Sequence, residues 1–189
     1  MSKKALVLLA EGFEEVEAVT PIDYLRRSGV EVTTASITED VCVKGSHDIP
    51  VTADTSICEL RKNGKLAPDL WDAVVLPGGK QGAKNLAASK DTGAFLREMA
   101  EKGKWVCAIC ASPAVVLAPL GLLAGKGFTC YPGLEKEVAG ARWSGEKVVI
   151  DGRIITSRGA GTSGHFAAAI IGQLVSPEKA KEISDSVLL

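Results

Sequence analysis

Cys110 ends the buried-strand pattern Trp105-Val106-Cys107-Ala108-Ile109 and stands directly before Ala111-Ser112-Pro113, where a helix is expected to begin. A strand that turns at once into a helix pushes the side chain at the turn outward, as the serine elbow of hydrolases does. Backbone N–H groups and the positive dipole end at a helix start both favour thiolate over thiol. The chemistry such a group performs is nucleophilic addition to an electrophilic carbon. The competing reading is a cysteine buried for packing alone.

A thiol nucleophile needs a proton carrier. The histidines are His47 and His165, one expected in a hairpin-like excursion and the other inside a late helix, so each reads as surface or packing. Glu17 is expected about one turn into a helix beginning near Glu14, between the apolar residues Val16 and Ala18. A carboxyl held against the pocket and partly desolvated would stay protonated, donate a hydrogen bond to sulfur and pass its proton to substrate oxygen. The competing reading of Glu17 is a solvated charge that complements the helix dipole. Gly78-Gly79 allows close backbone approach, so the N–H groups of Gly79 and Ala111 are candidates for an oxyanion hole.

Other chemistries fit less well. Cys107-Ala-Ile-Cys110 has redox-pair spacing, yet Cys107 falls in the strand and Cys110 at the turn, whereas a dithiol motif needs both sulfurs at the helix start. No second pair with tetrahedral metal-ligand spacing exists, so no metal site is expected. The acidic Glu11-Gly12-Phe13-Glu14-Glu15 after the first apolar run excludes a phosphate loop or dinucleotide fingerprint.

These residues require strands to deliver them. Ala5 to Ala10, Asp72 to Leu76 and Trp105 to Ile109 are continuous apolar runs, the pattern of parallel strands covered on both faces. Val30 to Ser36, Val148 to Ile150 and Arg153 to Ser157 read as further strands, and Val41 to Lys44 with Ile49 to Ala53 as the hairpin-like excursion. Helices are expected over about Glu14 to Ser28, with Pro21 bending the first, Asp91 to Glu101, Ser112 to Leu123, Thr162 to Leu174 and Pro177 to Val187, the last capped by Ser176. Arg61 to Asp69 reads as a polar connector. The alternation predicts an α/β fold, and ligands of an open parallel sheet bind beyond the carboxyl ends of its strands. Glu11 to Glu17, Pro77 to Gly79, Cys110 to Pro113 and Ser157 to Thr162 all fall there.

A length of 189 residues allows one well-buried core and is short for two domains, so a single domain over residues 1–189 is expected. With 22 basic against 23 acidic residues and no basic run, nucleic acid is not an expected partner. Five scattered cysteines argue against a disulfide framework and for a reducing compartment. The apolar stretch after Lys3-Lys4 is too short for a signal peptide. Trp105 to Gly125 is uncharged over nearly the ~20 residues of a membrane-spanning helix, but Ser112, Pro113, Pro119 and Gly121 interrupt it; a buried strand and helix are expected instead.

The chain resembles the ThiJ/PfpI superfamily over essentially its whole length, most closely the protein-deglycase branch that includes a human protein linked to parkinsonism. The resemblance rests on residues 5–10 with Glu14-Glu15-Val16-Glu17, Val74-Val75-Leu76-Pro77-Gly78-Gly79 with Gly82-Ala83, Ala108-Ile109-Cys110-Ala111, and Thr156-Ser157-Arg158-Gly159 with Gly161-Thr162-Ser163. It implies a flavodoxin-like three-layer sandwich with a mainly parallel central sheet and a cysteine nucleophile elbow, a homodimer, and no metal or organic cofactor; the scattered cysteines make the expected location cytoplasmic. Cys110 is implied as nucleophile and oxidation site, Glu17 as its acid/base partner, and Gly79 and Ala111 as backbone donors. The implied activities are glutathione-independent conversion of methylglyoxal or glyoxal to a 2-hydroxy acid and repair of their early adducts. A non-enzymatic alternative is oxidative-stress sensing and redox-regulated chaperone action through oxidation of Cys110. Both predict a depressed thiol pKa.

Several positions depart from the branch. Tyr131 stands where vertebrate members have a histidine near the nucleophile. Ser112 replaces a glycine, Ala160 a proline, and His47 an arginine associated with the dimer surface. Gly45 and Thr52 occupy positions where vertebrate members carry cysteines. Ala111, instead of a histidine, follows the nucleophile and argues against the peptidase branch.

Overall fold

The structure, a computed structural model, describes residues 2–189. The first half of the chain runs β1 (Lys4–Leu9), α1 (Glu15–Arg27), β2 (Glu31–Ser36), β3 (Cys42–Lys44), β4 (Pro50–Thr52), β5 (Thr55–Ser56), α2 (Ile57–Lys62), β6 (Ala73–Leu76), α3 (Lys80–Ala88) and α4 (Lys90–Glu101). The second half runs β7 (Trp105–Ile109), β8 (Gly127–Phe128), β9 (Arg142–Trp143), β10 (Val148–Asp151), β11 (Ile154–Ser157), α5 (Ser163–Leu174) and α6 (Pro177–Ser186).

Seven strands form one sheet in the order β10-β11-β7-β6-β1-β2-β5, parallel except for the edge strand β10. Its parallel core, β2-β1-β6-β7-β11, has the strand order of the flavodoxin-like fold. β6 and β7 are buried along their whole lengths, which explains their lack of polar alternation. One face of the sheet carries the cluster around Leu86, Phe95, Leu96, Met99 and Leu117; the other packs Ala18, Leu25, Phe166, Ile170 and Ile183. The result is a three-layer sandwich, with α1 against α5 and α5 against α6 on the second face.

The chain leaves β1 outward through β2 and β5, then returns to lay β6 on the other side of β1. The connections that leave β1 and β6 therefore diverge and open a crevice at their carboxyl ends. The residues after β1, β6 and β7 meet at this crevice.

Most expected elements are present, including Ser176 as the cap of α6, whose hydroxyl accepts the Lys179 N–H at 3.2 Å. Pro21 lies inside α1, where it has no N–H to give the Glu17 carbonyl four residues earlier. The expected helix over Ser112 to Leu123 is not formed. Pro113–Leu117 is instead one π-helical segment, with Ala118 N–H bonded to Pro113 O at 3.0 Å, followed by turns. Pro119 cannot donate the next backbone bond and Gly121 adopts φ +77°, so a regular helix stops. The connector expected at Arg61 to Asp69 begins inside α2, capped by the Ser56 hydroxyl through the Glu59 N–H at 3.1 Å. α3 was hidden by its own glycine: a Cβ on Gly82 would stand 2.7 Å from Phe13 Cα. No helix of the described residues is long and apolar enough to cross a membrane.

Candidate functional site

Cys110 forms the elbow after β7 with φ +64°, the left-handed region that a side chain seldom occupies. Two backbone bonds hold it there. Its N–H donates to Ser157 O at 2.9 Å, and its carbonyl accepts the Tyr131 N–H at 2.8 Å. The buried Ser112 hydroxyl donates to Pro77 O at 2.5 Å and ties the elbow to the turn after β6. This Ser112 contact leaves the hydroxyl committed to the scaffold, away from solvent.

Glu17 lies in the first turn of α1 and is 0% exposed, which rules out the solvated helix-start charge. Its Oε2 accepts the Gly78 N–H at 2.8 Å. Oε1 is buried with no partner in hydrogen-bond geometry. Both Oε1 and the Cys110 sulfur border the Gly159 α-carbon: a Cβ there would stand 3.9 Å from Oε1 and 4.0 Å from Sγ. Burial raises the Glu17 pKa to about 7, against the Cys110 side chain and the Gly78 N–H, which lower it; the Glu14 charge adds to the rise.

The expected depression of the Cys110 thiol pKa is reversed. Burial, followed by the charge and close approach of the Glu17 carboxyl, pushes the thiol up to about 12, while the Gly79 and Ala111 N–H groups pull it down. Two acids in contact titrate as a pair. With Glu17 ionised the sulfur keeps its proton; when the proton sits on Glu17, the neighbouring negative charge is gone and two backbone donors remain to hold a thiolate. The expected helix dipole contributes little, since the segment after the elbow is a single five-residue π-helical segment.

The glycines make this proximity possible. A Cβ on Gly78 would lie 2.6 Å from Cys110 Cβ and 2.6 Å from Glu17 Oε2. Gly79 has φ +84°, and a Cβ there would run into the Gly12 carbonyl. All four expected site residues are thus brought together, and the Gly79 and Ala111 N–H groups lower the proton affinity of the sulfur. Tyr131 is 54% exposed and its ring edge lies 3.6 Å from a Cβ placed on Gly159, so the ring borders the same opening. Ala160 is exposed beside it. Cys107 is fully buried in β7 and burial pushes its thiol further up, unlike a reactive redox partner.

Neither histidine partners Cys110. His165 shares a contact with Lys147 Nζ at 3.1 Å. His47, at the tip of the β3–β4 hairpin, pairs with Glu15 and Glu14 at 3.0 and 3.4 Å. This hairpin contact with the start of α1 escaped sequence reasoning, because nothing local in Ser46-His47 marks a partner over thirty residues away; the adjacent Glu14-Glu15 was the available signal. Cavities of about 450 and 440 Å³ at the amino ends of the strands, around Lys4, Glu31 and Trp71, contain none of the candidate residues.

A thiol on a strained elbow beside a buried carboxyl, at the switch point of a parallel sheet, defines a class of α/β proteins built around one cysteine. Within that class the chain belongs to the DJ-1/PfpI family, whose sequence profile matches residues 3–173. It is 40% identical over 191 residues to protein dj-1beta of Drosophila melanogaster, covering 100% of this chain and 98% of that one. A Pyrococcus abyssi protein named a deglycase is 33% identical over 157 residues, 82% of this chain and 89% of that one. The structure described as oxidized Toxoplasma gondii DJ-1 superposes with a TM-score of 0.93 at 35% identity, covering 99% of this chain and 98% of that one.

Proposed function

We propose that the chain is a cofactor-independent glyoxalase or deglycase acting on methylglyoxal, glyoxal or their early adducts. The observation that carries this reading is the buried Glu17 carboxyl, whose unpaired Oε1 and the half-buried Cys110 sulfur border one opening. The thiolate adds to the aldehyde carbon of a 2-oxoaldehyde, and the oxygen that gains the electron pair takes the proton from Glu17. The resulting carboxylate then removes the C–H proton of the hemithioacetal, the hydroxyl proton passes from the first oxygen to the former ketone oxygen through the enediol, and Glu17 returns the abstracted proton to the neighbouring carbon. This yields a 2-hydroxyacyl thioester on Cys110, which water cleaves to the 2-hydroxy acid and free thiol. The Gly79 and Ala111 N–H groups, which pull the thiol pKa down, serve as donors to the developing charge. Early adducts on amines or thiols are carbinols; with a proton from Glu17 to the leaving amine or thiol and loss of the hydroxyl proton they release the aldehyde, which enters the same scheme, and the name of the Pyrococcus abyssi relative supports that extension.

The test follows methylglyoxal loss and lactate formation without glutathione. Many turnovers are expected for the native protein, with a loss of roughly 100-fold or more in Cys110→Ser and Glu17→Gln, as for removal of a nucleophile or its acid/base. Merely stoichiometric consumption by the native protein overturns the enzymatic reading. A second reading, oxidation sensing with chaperone action, rests on the same partly exposed sulfur, where a sulfinate would meet a protonated Glu17 and two N–H donors.

We further propose a homodimer formed through the outward face of α1. Val16 and Val19 are 50% and 47% exposed one turn apart, and Ile49 of the adjoining hairpin is 55% exposed. Five free cysteines support a reducing, cytoplasmic setting for a single-domain chain.

A further inference from the structure

Glu14 is at once the extended residue that opens α1 and the link between the hairpin and the site. Its N–H donates to Gly78 O at 3.2 Å, and Gly78 in turn donates to Glu17 Oε2 at 2.8 Å. The Glu14 carbonyl accepts the Glu17 N–H at 3.1 Å. Residues that fix Glu14 therefore fix the carboxyl of Glu17 from two directions.

The Glu14 side chain does not cap its own helix. It turns to the hairpin, where Oε2 accepts the Ser46 hydroxyl at 3.0 Å and Oε1 lies 3.4 Å from His47 Nδ1. Glu15 is gripped harder: Oε1 accepts the His47 N–H at 2.7 Å, and Oε2 lies 3.0 Å from His47 Nδ1. The hairpin packs closely here, because Gly45 has no Cβ to collide with the Glu15 carboxyl and Ser46 N–H donates to Phe13 O at 2.8 Å. Burial would raise the Glu15 pKa, but hydrogen bonds from the His47 ring and from the His47 and Ile49 N–H groups bring it to about 2. The same carboxylates push the His47 pKa up. No ion is needed to hold the three groups together, since His47 supplies the positive charge.

We infer that His47 is a positioning residue for the Cys110–Glu17 pair: its imidazolium, on the hairpin tip, neutralises and anchors Glu14 and thereby sets the proton affinity of Glu17. This inference rests on the reading of Glu17 as the acid/base partner of Cys110. The groups facing His47 are Glu14 and Glu15 of the α1 start and Asp48 of its own hairpin, itself paired with Lys44. Those facing Glu17 are Cys110, the Gly78 N–H and Glu14. Because the Glu14 charge raises the Glu17 pKa, a cation on Glu14 eases ionisation of the Cys110–Glu17 pair and loss of that cation makes it harder. As pH rises through the raised His47 pKa, the compensation is withdrawn and the pair holds its proton more tightly.

The experiment measures the iodoacetamide alkylation rate of Cys110 from pH 5 to 9, by peptide mass mapping that separates it from the exposed Cys42 and the partly exposed Cys58. It compares the full chain with His47→Gln and His47→Lys. The midpoint of the alkylation curve is expected to move up by roughly half a pH unit or more in His47→Gln and to stay at or below the native value in His47→Lys. A purely structural role would move both variants alike, and this outcome overturns the inference, as do three coincident curves. A native curve flat in pH overturns the thiol–carboxyl reading as well. Methylglyoxal turnover, measured separately, decides only whether the paired groups catalyse that reaction.

Discussion

At the scale of the residue, the burial of the Glu17 carboxyl has a stability consequence as well as a chemical one. A glutamic acid whose pKa rises from 4.5 to about 7 on folding favours the native state fully below the unfolded pKa, and this contribution is lost as pH climbs through the folded value. The shift is worth roughly 3 kcal/mol for a group this buried. Native protein is therefore expected to lose stability between about pH 5 and pH 8 in denaturant titrations, to the extent that other groups do not compensate. Glu17→Gln, which keeps the Gly78 hydrogen bond and cannot ionise, should flatten that decline; an equally steep decline in the variant would place the charge penalty elsewhere. The sequence pointed to Cys110 through its position at a strand end, whereas the residues around Glu17 favoured a solvated helix-start charge and its role came from the family resemblance. It did not disclose the direction of the thiol's shift, which depends on burial and on a carboxylate ninety-three residues away in sequence.

At the scale of the element, the site is a meeting of three turns, after β1, β6 and β7, and each is held by contacts that sequence patterns encode unequally. Continuous apolar runs announced β1, β6 and β7 because parallel strands covered on both faces leave no polar alternation. α3 was not announced, since Gly82 inside it serves a close approach to Phe13 and depresses its helical signal. The segment after Cys110 was misread as a regular helix because its apolar spacing outweighs Pro119 on paper, whereas in the fold the missing N–H decides. The buried Ser112 hydroxyl compensates by tying this irregular segment to Pro77 O. Ser112→Ala should cost about 1–2 kcal/mol by leaving that carbonyl unpaired. Gly78→Ala should cost more and also lower Cys110 reactivity, because its Cβ would stand 2.6 Å from both Cys110 Cβ and Glu17 Oε2. Denaturant midpoints and alkylation rates of the two variants separate the effects: loss of stability alone is expected for Ser112→Ala, and loss of both for Gly78→Ala. Equal loss of reactivity in both would mean that the elbow, and not the close approach at Gly78, sets the sulfur's environment.

At the scale of the whole molecule, α1 has two duties. Its inner face packs Ala18 and Leu25 onto the sheet and carries Glu17 to the crevice, while Val16 and Val19 look outward beside Ile49. Valines one helical turn apart, on the helix whose start the hairpin bearing exposed Ile49 grips, offer apolar surface that a second copy could cover. A two-fold contact lets one such patch cover its own copy. Sedimentation should therefore report twice the chain mass for the native protein, and Val19→Asp should shift it to the single-chain mass, because a carboxylate at the centre of the patch would meet its symmetry mate without a counter-charge. Since the same helix begins at Glu14 and delivers Glu17, the separated chain should also alkylate Cys110 with an altered pH midpoint. A Val19→Asp protein that sediments as a single chain with an unchanged midpoint would show that the inner and outer faces of α1 act independently. Native protein already at the single-chain mass would remove the dimer and leave the hairpin contact of His47 as the restraint on the start of α1.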